Sequence, residues 1–317
     1  MAINRIQFQH GMSLLEFNSR YGTESQCSEA LFALRWPTGF ACPQCGSGSH
    51  YRLLRDDRVL LQCRACRRQT SLTAGTLMDS SKLPLRVWFL AIYLVSQAKT
   101  GLASLALKRQ LGVDYRTAWL MHHKLMSAMA DVDAKEPLEG DIQLDDAYLG
   151  GERPGTPGRG SPNKVPIVAA VALDERQHPR RVKLSPIAGF TTEAISTWAK
   201  QNLAPGCDVR SDGLACFAGV IDAGCAHSYV VVGDRKPRDL PQFTWVNTVL
   251  GNLKNMIDGA YKAFDFRKYA QRYLGTFAYR FNRRHDLAAI VSGLVRHAAN
   301  ATPFPERALR RVAEVSH

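Results

Sequence analysis

Two cysteine pairs constrain this chain more than any other feature: Cys42-Pro-Gln-Cys45, then 17 residues, then Cys63-Arg-Ala-Cys66. Each C-x2-C puts two thiolates on one tight turn, and two turns complete a closed tetrahedron around zinc. Four thiolates leave no open coordination position, so the site reads as structural rather than catalytic. A module this small depends on its metal to stay folded. Residues 51–61 between the pairs alternate enough to form a hairpin. Cys27, Cys207, Cys216 and Cys225 are scattered among apolar neighbours, as buried free thiols are. The opening residues show no charged-then-apolar leader pattern, so disulfides are not expected and a cytoplasmic location is.

Charge is distributed unevenly along the 317 residues, which carry a formal net +13. Residues 51–130 hold 13 Lys/Arg against 4 Asp/Glu, and residues 262–317 hold 11 against 4. Between them, residues 131–146 hold seven acids and one Lys. Basic faces draw polyanions by releasing counterions from phosphate, whereas an acidic cluster in such surroundings repels DNA unless it holds cations. The longest apolar run, Val87 to Val95, is about half of the roughly 18 residues a membrane span needs. It reads as a buried helix, and no membrane partner is expected.

Residues 11–33 are predicted helical with a break at Tyr21-Gly22-Thr23, and Pro84 opens a helix through Gln97. Leu102–Gln110 and Asp114–Met126 form a helical pair around a turn at Leu111-Gly112-Val113. Leu102, Leu105, Ala106 and Leu111 line its inside, with Trp119, Leu120 and Leu125. Tyr115, Arg116, His122, His123 and Lys124 are expected outside. A short Gly-containing turn between helices is the DNA-reading arrangement, although any helical hairpin has this pattern. Arg116 and Lys124 are the expected DNA contacts.

From Asp141 the texture changes to strands at 142–144, 165–173 and 181–187. A helix from Thr191 to Leu203 follows, then short strands at 209–211 and 228–232 and helices at 243–257 and 266–281. This is a mixed α/β domain around a central sheet. Asp145 lies on its first strand and Asp212 ends a later one. Carboxylates at strand ends, brought together by a sheet, can share hard cations such as Mg2+ or Mn2+. Ser211-Asp212-Gly213 is also a common turn. The loop 150–163 (GGERPGTPGRGSPN) separates the first two strands. With Arg153, Arg159 and Lys164 on a Gly/Pro backbone, it is expected either to touch DNA or to be a plain surface loop.

Taken together, the segments RWPTGFACPQCG (35–46), LQCRACRRQTSLTAGT (61–76), SKLPLRVWFLAIYL (81–94), LDDAYLGG (144–151), SDG (211–213), WVNTVLGNLKN (245–255) and RYLGTFAYRFNRR (272–284) resemble the zinc-ribbon insertion-sequence transposases, over nearly the whole chain. That family's catalytic core has a ribonuclease H-like fold. The resemblance implies catalytic aspartates at Asp145 and Asp212. Where related transposases place a late-helix Glu, this chain has Asn252, followed two residues later by Lys254. That is the D-D-N-K variant of the D-D-E pattern. Asn252 would give a cation a neutral carbonyl oxygen, and Lys254 would meet phosphate as a point charge.

The expected organisation is a helical segment (1–35), a zinc ribbon (36–76), a helix-turn-helix region (80–130), a ribonuclease H-like catalytic domain (135–300) and a tail (301–317). The expected activity is metal-dependent DNA cleavage and strand transfer at the element's terminal inverted repeats and into target DNA. At least a homodimer on DNA, associated with the nucleoid, goes with it. A same-fold nuclease that cuts without joining and a non-catalytic DNA-binding regulator are the alternatives.

Overall fold

The computed structural model describes residues 6, 8–55, 58–150, 164–236, 239–262 and 264–311. They fall into two compact units. One comprises Met1–Ala98, Leu102–Ala128 and His285–Leu309, and the other Lys99–Gly101, Met129–Arg284 and Arg310–His317.

In the first unit, α1 (Leu14–Tyr21) and α2 (Glu24–Arg35) meet at Thr23, which caps α2 reciprocally with Gln26. A three-stranded antiparallel sheet follows: β1 (His50–Arg55), β2 (Arg58–Cys63) and β3 (Gln69–Ser71). Arg35, at the end of α2, donates to the carbonyls of Ser71 (3.2 Å), Leu72 (2.6 Å) and Ala74 (2.7 Å), tying the helix to the last strand. Helix α3 (Leu85–Gln97) begins after Pro84 and has no side-chain cap of its own. Its first backbone N–H groups instead find a carboxylate from α2: Glu24 accepts from Leu85 N at 2.7 Å and Arg86 N at 3.0 Å. Next come α4 (Ser104–Leu111), ended by left-handed Gly112, and the 20-residue α5 (Tyr115–Ala134), whose last turns belong to the second unit.

The chain returns to the first unit at its C-terminal end, through α9 (Ala289–Asn300) and α10 (Glu306–Arg310). Here the structure departs from the sequence reading: residues 285–300 fold with the N-terminal unit, not with the catalytic domain. The Ala298 carbonyl accepts from Leu77 N at 3.0 Å. The apolar positions of α9 fill a core begun some 200 residues earlier, which no local pattern encodes.

The second unit is built on a five-stranded sheet in the order β6-β5-β4-β7-β8. Strands β4 (Asp141–Leu149), β5 (Val165–Leu173) and β6 (Pro179–Pro186) form an antiparallel meander. β7 (Asp208–Ser211) and β8 (Ala226–Tyr229) run parallel to β4. β8 lies two residues earlier than the sequence pattern placed its start. β5 is buried on both faces, which explains its unbroken apolar run. Val168, Ala170 and Ala172 face a core shared with α6 (Thr192–Asn202). Val165, Ile167, Ala169, Val171 and Leu173 face one shared with α7 (Thr244–Met256) and α8 (Phe266–Asn282). Two helical layers thus cover the sheet. α8 lies close to the end of α5, because a Cβ on Gly275 would fall 2.4 Å from that of Ala130.

Candidate active site and DNA-facing surface

The four ribbon thiols converge as their spacing predicts. Cys63 ends β2 opposite His50, and Cys42 and Cys45 flank a turn closed by Gly46 N to Cys42 O at 2.9 Å. The Sγ atoms lie 3.6 Å apart for Cys42–Cys66 and 3.5 Å for Cys45–Cys63. A zinc tetrahedron with Zn–S near 2.3 Å has edges of about 3.8 Å, so the donor set fits a zinc ion. The Cys66 backbone N–H turned toward Cys63 lowers that thiol and the Gln44 N–H lowers Cys42, while the neighbouring thiols hold Cys45 up.

A second cluster forms at the carboxyl end of the five-stranded sheet. β4 and β7 pair in parallel as Asp141↔Asp208, Ile142↔Val209 and Gln143↔Arg210. The same register carried two positions further sets Asp212 beside Asp145. Asp146 joins them: one oxygen from each of Asp145, Asp146 and Asp212 lies within 4.8 Å of the others. Backbone donors hold two of these groups, Asp146 N donating to Asp145 Oδ1 (2.9 Å) and Leu214 N to Asp212 Oδ1 (3.1 Å). All three are half-buried. Three like charges this close repel. Hard divalent cations suit the donors: Mg2+ binds oxygens at about 2.0–2.1 Å, so one ion spans up to about 4.2 Å. The sequence reading missed Asp146, although the Asp-Asp doublet was the available signal.

Gln143, two residues before Asp145 on the same face of β4, anchors α7. Its buried Oε1 accepts from Trp245 N (3.1 Å) and Val246 N (3.0 Å). Asn252 lies six residues beyond Val246 on α7, roughly 9 Å along the helix axis. Val246, Val249, Leu253 and Met256 turn inward. Asn252 and Lys254 are exposed on either side of buried Leu253, and at about 100° per residue they point about 160° apart.

The helical pair at α4 and α5 corrects part of the sequence reading. Arg116 is exposed as expected, its side chain 74% accessible, and pairs with Glu306 at 2.8 Å. Lys124 is not: only 7% accessible, it donates to the Leu77 carbonyl at 3.1 Å with its ammonium 5.8 Å from the Trp88 ring centroid. Burial lowers its affinity for a proton. His122 and His123 are buried as well, while Leu105 is exposed. Every position from 121 to 130 is buried, so α5 has no free outer face there to offer DNA. Exposed positive charge concentrates instead on the ribbon, at Arg52, Arg55, Arg58, Arg64, Arg67 and Arg68. The Arg64 guanidinium lies 4.4 Å from the exposed Tyr51 ring centroid. Lys164 stands half-buried just before β5, and Arg153 and Arg159 lie outside the described residues.

A family model described as the ISXO2-like transposase domain matches residues 137–282, and one described as the transposase zinc-ribbon domain matches residues 22–69. An uncharacterized protein in transposable element ISH50 of Halobacterium salinarum is 28% identical over 187 residues, 57% of this chain. The chain spans about half the length of that relative (53%). A solved pre-cleavage Mos1 transpososome aligns over 68% of this chain and 79% of its own, at 11% identity and a TM-score of 0.23, too low to establish a shared fold. No helix among the described residues is long and apolar enough to cross a membrane.

Proposed function

We propose that this chain, whose residues 22–69 and 137–282 match the transposase zinc-ribbon domain and the ISXO2-like transposase domain, is an insertion-sequence transposase that cleaves and joins DNA at the ends of its own element. The observation that carries this reading is the convergence of Asp145, Asp146 and Asp212 inside the matched transposase domain.

In this reading the three aspartates would hold Mg2+ or Mn2+, with Asn252 offering a neutral oxygen. Ions held there would supply activation of the attacking hydroxyl and stabilisation of the leaving oxygen in an in-line displacement. The protein's own part is positioning. The parallel register of β4 and β7 brings Asp145, midway along β4, level with Asp212 just past the end of β7, and Gln143 fixes the helix that carries Asn252 and Lys254. The exposed ribbon arginines, Arg116 and Lys164 supply phosphate contacts, and Arg153 and Arg159 remain proposed contacts. The four cysteines hold a structural zinc. Water attacks first at the element end. The freed 3′-hydroxyl then attacks the target phosphodiester, and two ends require at least two copies of the chain.

The test is a labelled element-end oligonucleotide incubated with the full-length protein, a target plasmid and Mg2+, scored for nicked and joined products. Joined products support the proposal. Nicks without joining favour a nuclease, and binding without either product favours a regulator.

A further inference from the structure

Beside the carboxylate cluster, the fold leaves two apolar side chains in solvent. Tyr229 closes β8 and Val231 follows two residues later, so both leave the strand on one side, and each is 64% accessible. Their neighbours Val230 and Val232 turn the other way and pack on the core shared with α7. Tyr229 and Val231 both lie over Gly213, the residue after Asp212. A Cβ there would fall 3.3 Å from Tyr229 Cδ2 and 3.5 Å from Val231 Cγ2. Gly213 also has φ +91, which side-chain-bearing residues rarely adopt. The ring therefore stands one residue from a cluster carboxylate, and its approach depends on that glycine.

Two further contacts hold this patch in place. Ser211 Oγ lies 2.9 Å from His227 Nε2, joining β7 to β8 just ahead of Asp212, and the His227 ring stands 6.2 Å from that of Tyr229. On the other side the exposed Arg235 folds back, its guanidinium donating to the carbonyls of Val231 and Val232. A positive charge is thus held beside Val231, and exposed Lys236 follows.

We propose that Tyr229, seated with Val231 over Gly213 and flanked by Arg235, stacks an unpaired base next to the scissile phosphate. The proposal rests on the DNA-cleavage reading above. An exposed aromatic face, with a positive charge held at the neighbouring Val231, suits a base and the phosphate attached to it. A paired base keeps its faces inside the duplex stack, so a ring at the cleavage point meets one only after that base has left the helix. The protein would then hold the strand end in an opened form while the neighbouring phosphate faces the carboxylates.

The test uses the full-length protein, Mg2+ and element-end duplexes, either intact or carrying one abasic residue at each position flanking the cleavage point. Tyr229→Ala should keep its melting temperature, because the side chain is largely in solvent. It should lose about ten-fold or more in cleavage of the intact duplex, while Tyr229→Phe stays within about two-fold of the unaltered protein, as stacking on a ring predicts. At one flanking position the abasic residue should erase the difference between the unaltered protein and Tyr229→Ala. Equal cleavage by Tyr229→Ala, an equal loss in Tyr229→Phe, or a ratio unchanged by every abasic substitution would each overturn the platform while leaving the transposase reading intact. Absence of cleavage by the unaltered protein would overturn that reading, and the platform with it.

Discussion

Asp145 and Asp212 stand side by side because β4 and β7 run parallel in a register that pairs Asp141 with Asp208 and places each residue opposite the one 67 positions later. Asp146 completes the cluster from the next position of β4. An Asp146→Asn substitution keeps the shape and removes one of three charges. Cleavage should then demand a several-fold higher Mg2+ concentration, with end binding unchanged. A Mg2+ titration identical to that of the unaltered protein would remove Asp146 from the site.

Asn252 is exposed on α7, so an acid introduced there does not have to be buried. Asn252→Glu is expected to fold with an unchanged melting temperature and to cleave at equal or lower Mg2+. Lys254, turned about 160° away on the helix, should respond differently: Lys254→Ala should weaken DNA binding with little effect on the Mg2+ requirement. Identical phenotypes for the two positions would contradict this division.

Arg116 and Lys124 were read alike from sequence and are separated by the fold. Arg116→Ala should leave stability intact and reduce the salt dependence of DNA binding by about one. Its pair with Glu306 is a surface one, worth about 0–1 kcal/mol, which phosphate can displace. Lys124→Ala should instead destabilise by about 1–3 kcal/mol, because truncation empties a buried site as well as leaving the Leu77 carbonyl without its donor. Thermal melts and salt titrations of both variants decide the matter.

That contrast shows how far the sequence could be read. The ribbon was legible because zinc imposes a local spacing on its cysteines. β5 was legible because burial on both faces leaves a continuous apolar run. Asp145 and Asp212 were legible through their places on the first strand and at the end of a later one, together with the family resemblance. Lys124 was misplaced because an amphipathic reading assumes that a helix has one wet face, whereas α5 is covered on all sides from residue 121 to residue 130. Membership of α9 in the first unit depends on contacts across some 200 residues, which no window of sequence contains.

Lys183, on β6, gives a pH-dependent test of the second unit. Burial pulls it from 10.5 down to about 8, with Nζ 3.3 Å from the Ala134 carbonyl. Below pH 8 it is protonated both folded and unfolded, and the full cost of burying the charge is present. Between about 8 and 10.5 the folded state releases its proton first, so stability rises with pH through that window. Lys183→Met should therefore melt higher than the unaltered protein at pH 7, and the advantage should shrink by pH 10. A difference independent of pH would mean the charge is not desolvated as the fold implies.

Chelation should separate the two metal sites. Metal analysis of purified protein should return about one zinc per chain. Stripping that zinc, or Cys63→Ser, should unfold the ribbon and weaken end binding while the sheet domain keeps its melting transition. A zinc-free protein whose ribbon stays folded would overturn the assignment.

The most direct test of the central claim is cleavage of a labelled element-end duplex in Mg2+ by the unaltered protein, Asp145→Asn and Asp212→Asn, with end binding and melting temperature measured on the same samples. The account predicts that the unaltered protein cleaves, and that both variants bind the duplex and fold normally but yield no product. A folded Asp145→Asn or Asp212→Asn protein that cleaves as well as the unaltered chain would contradict it.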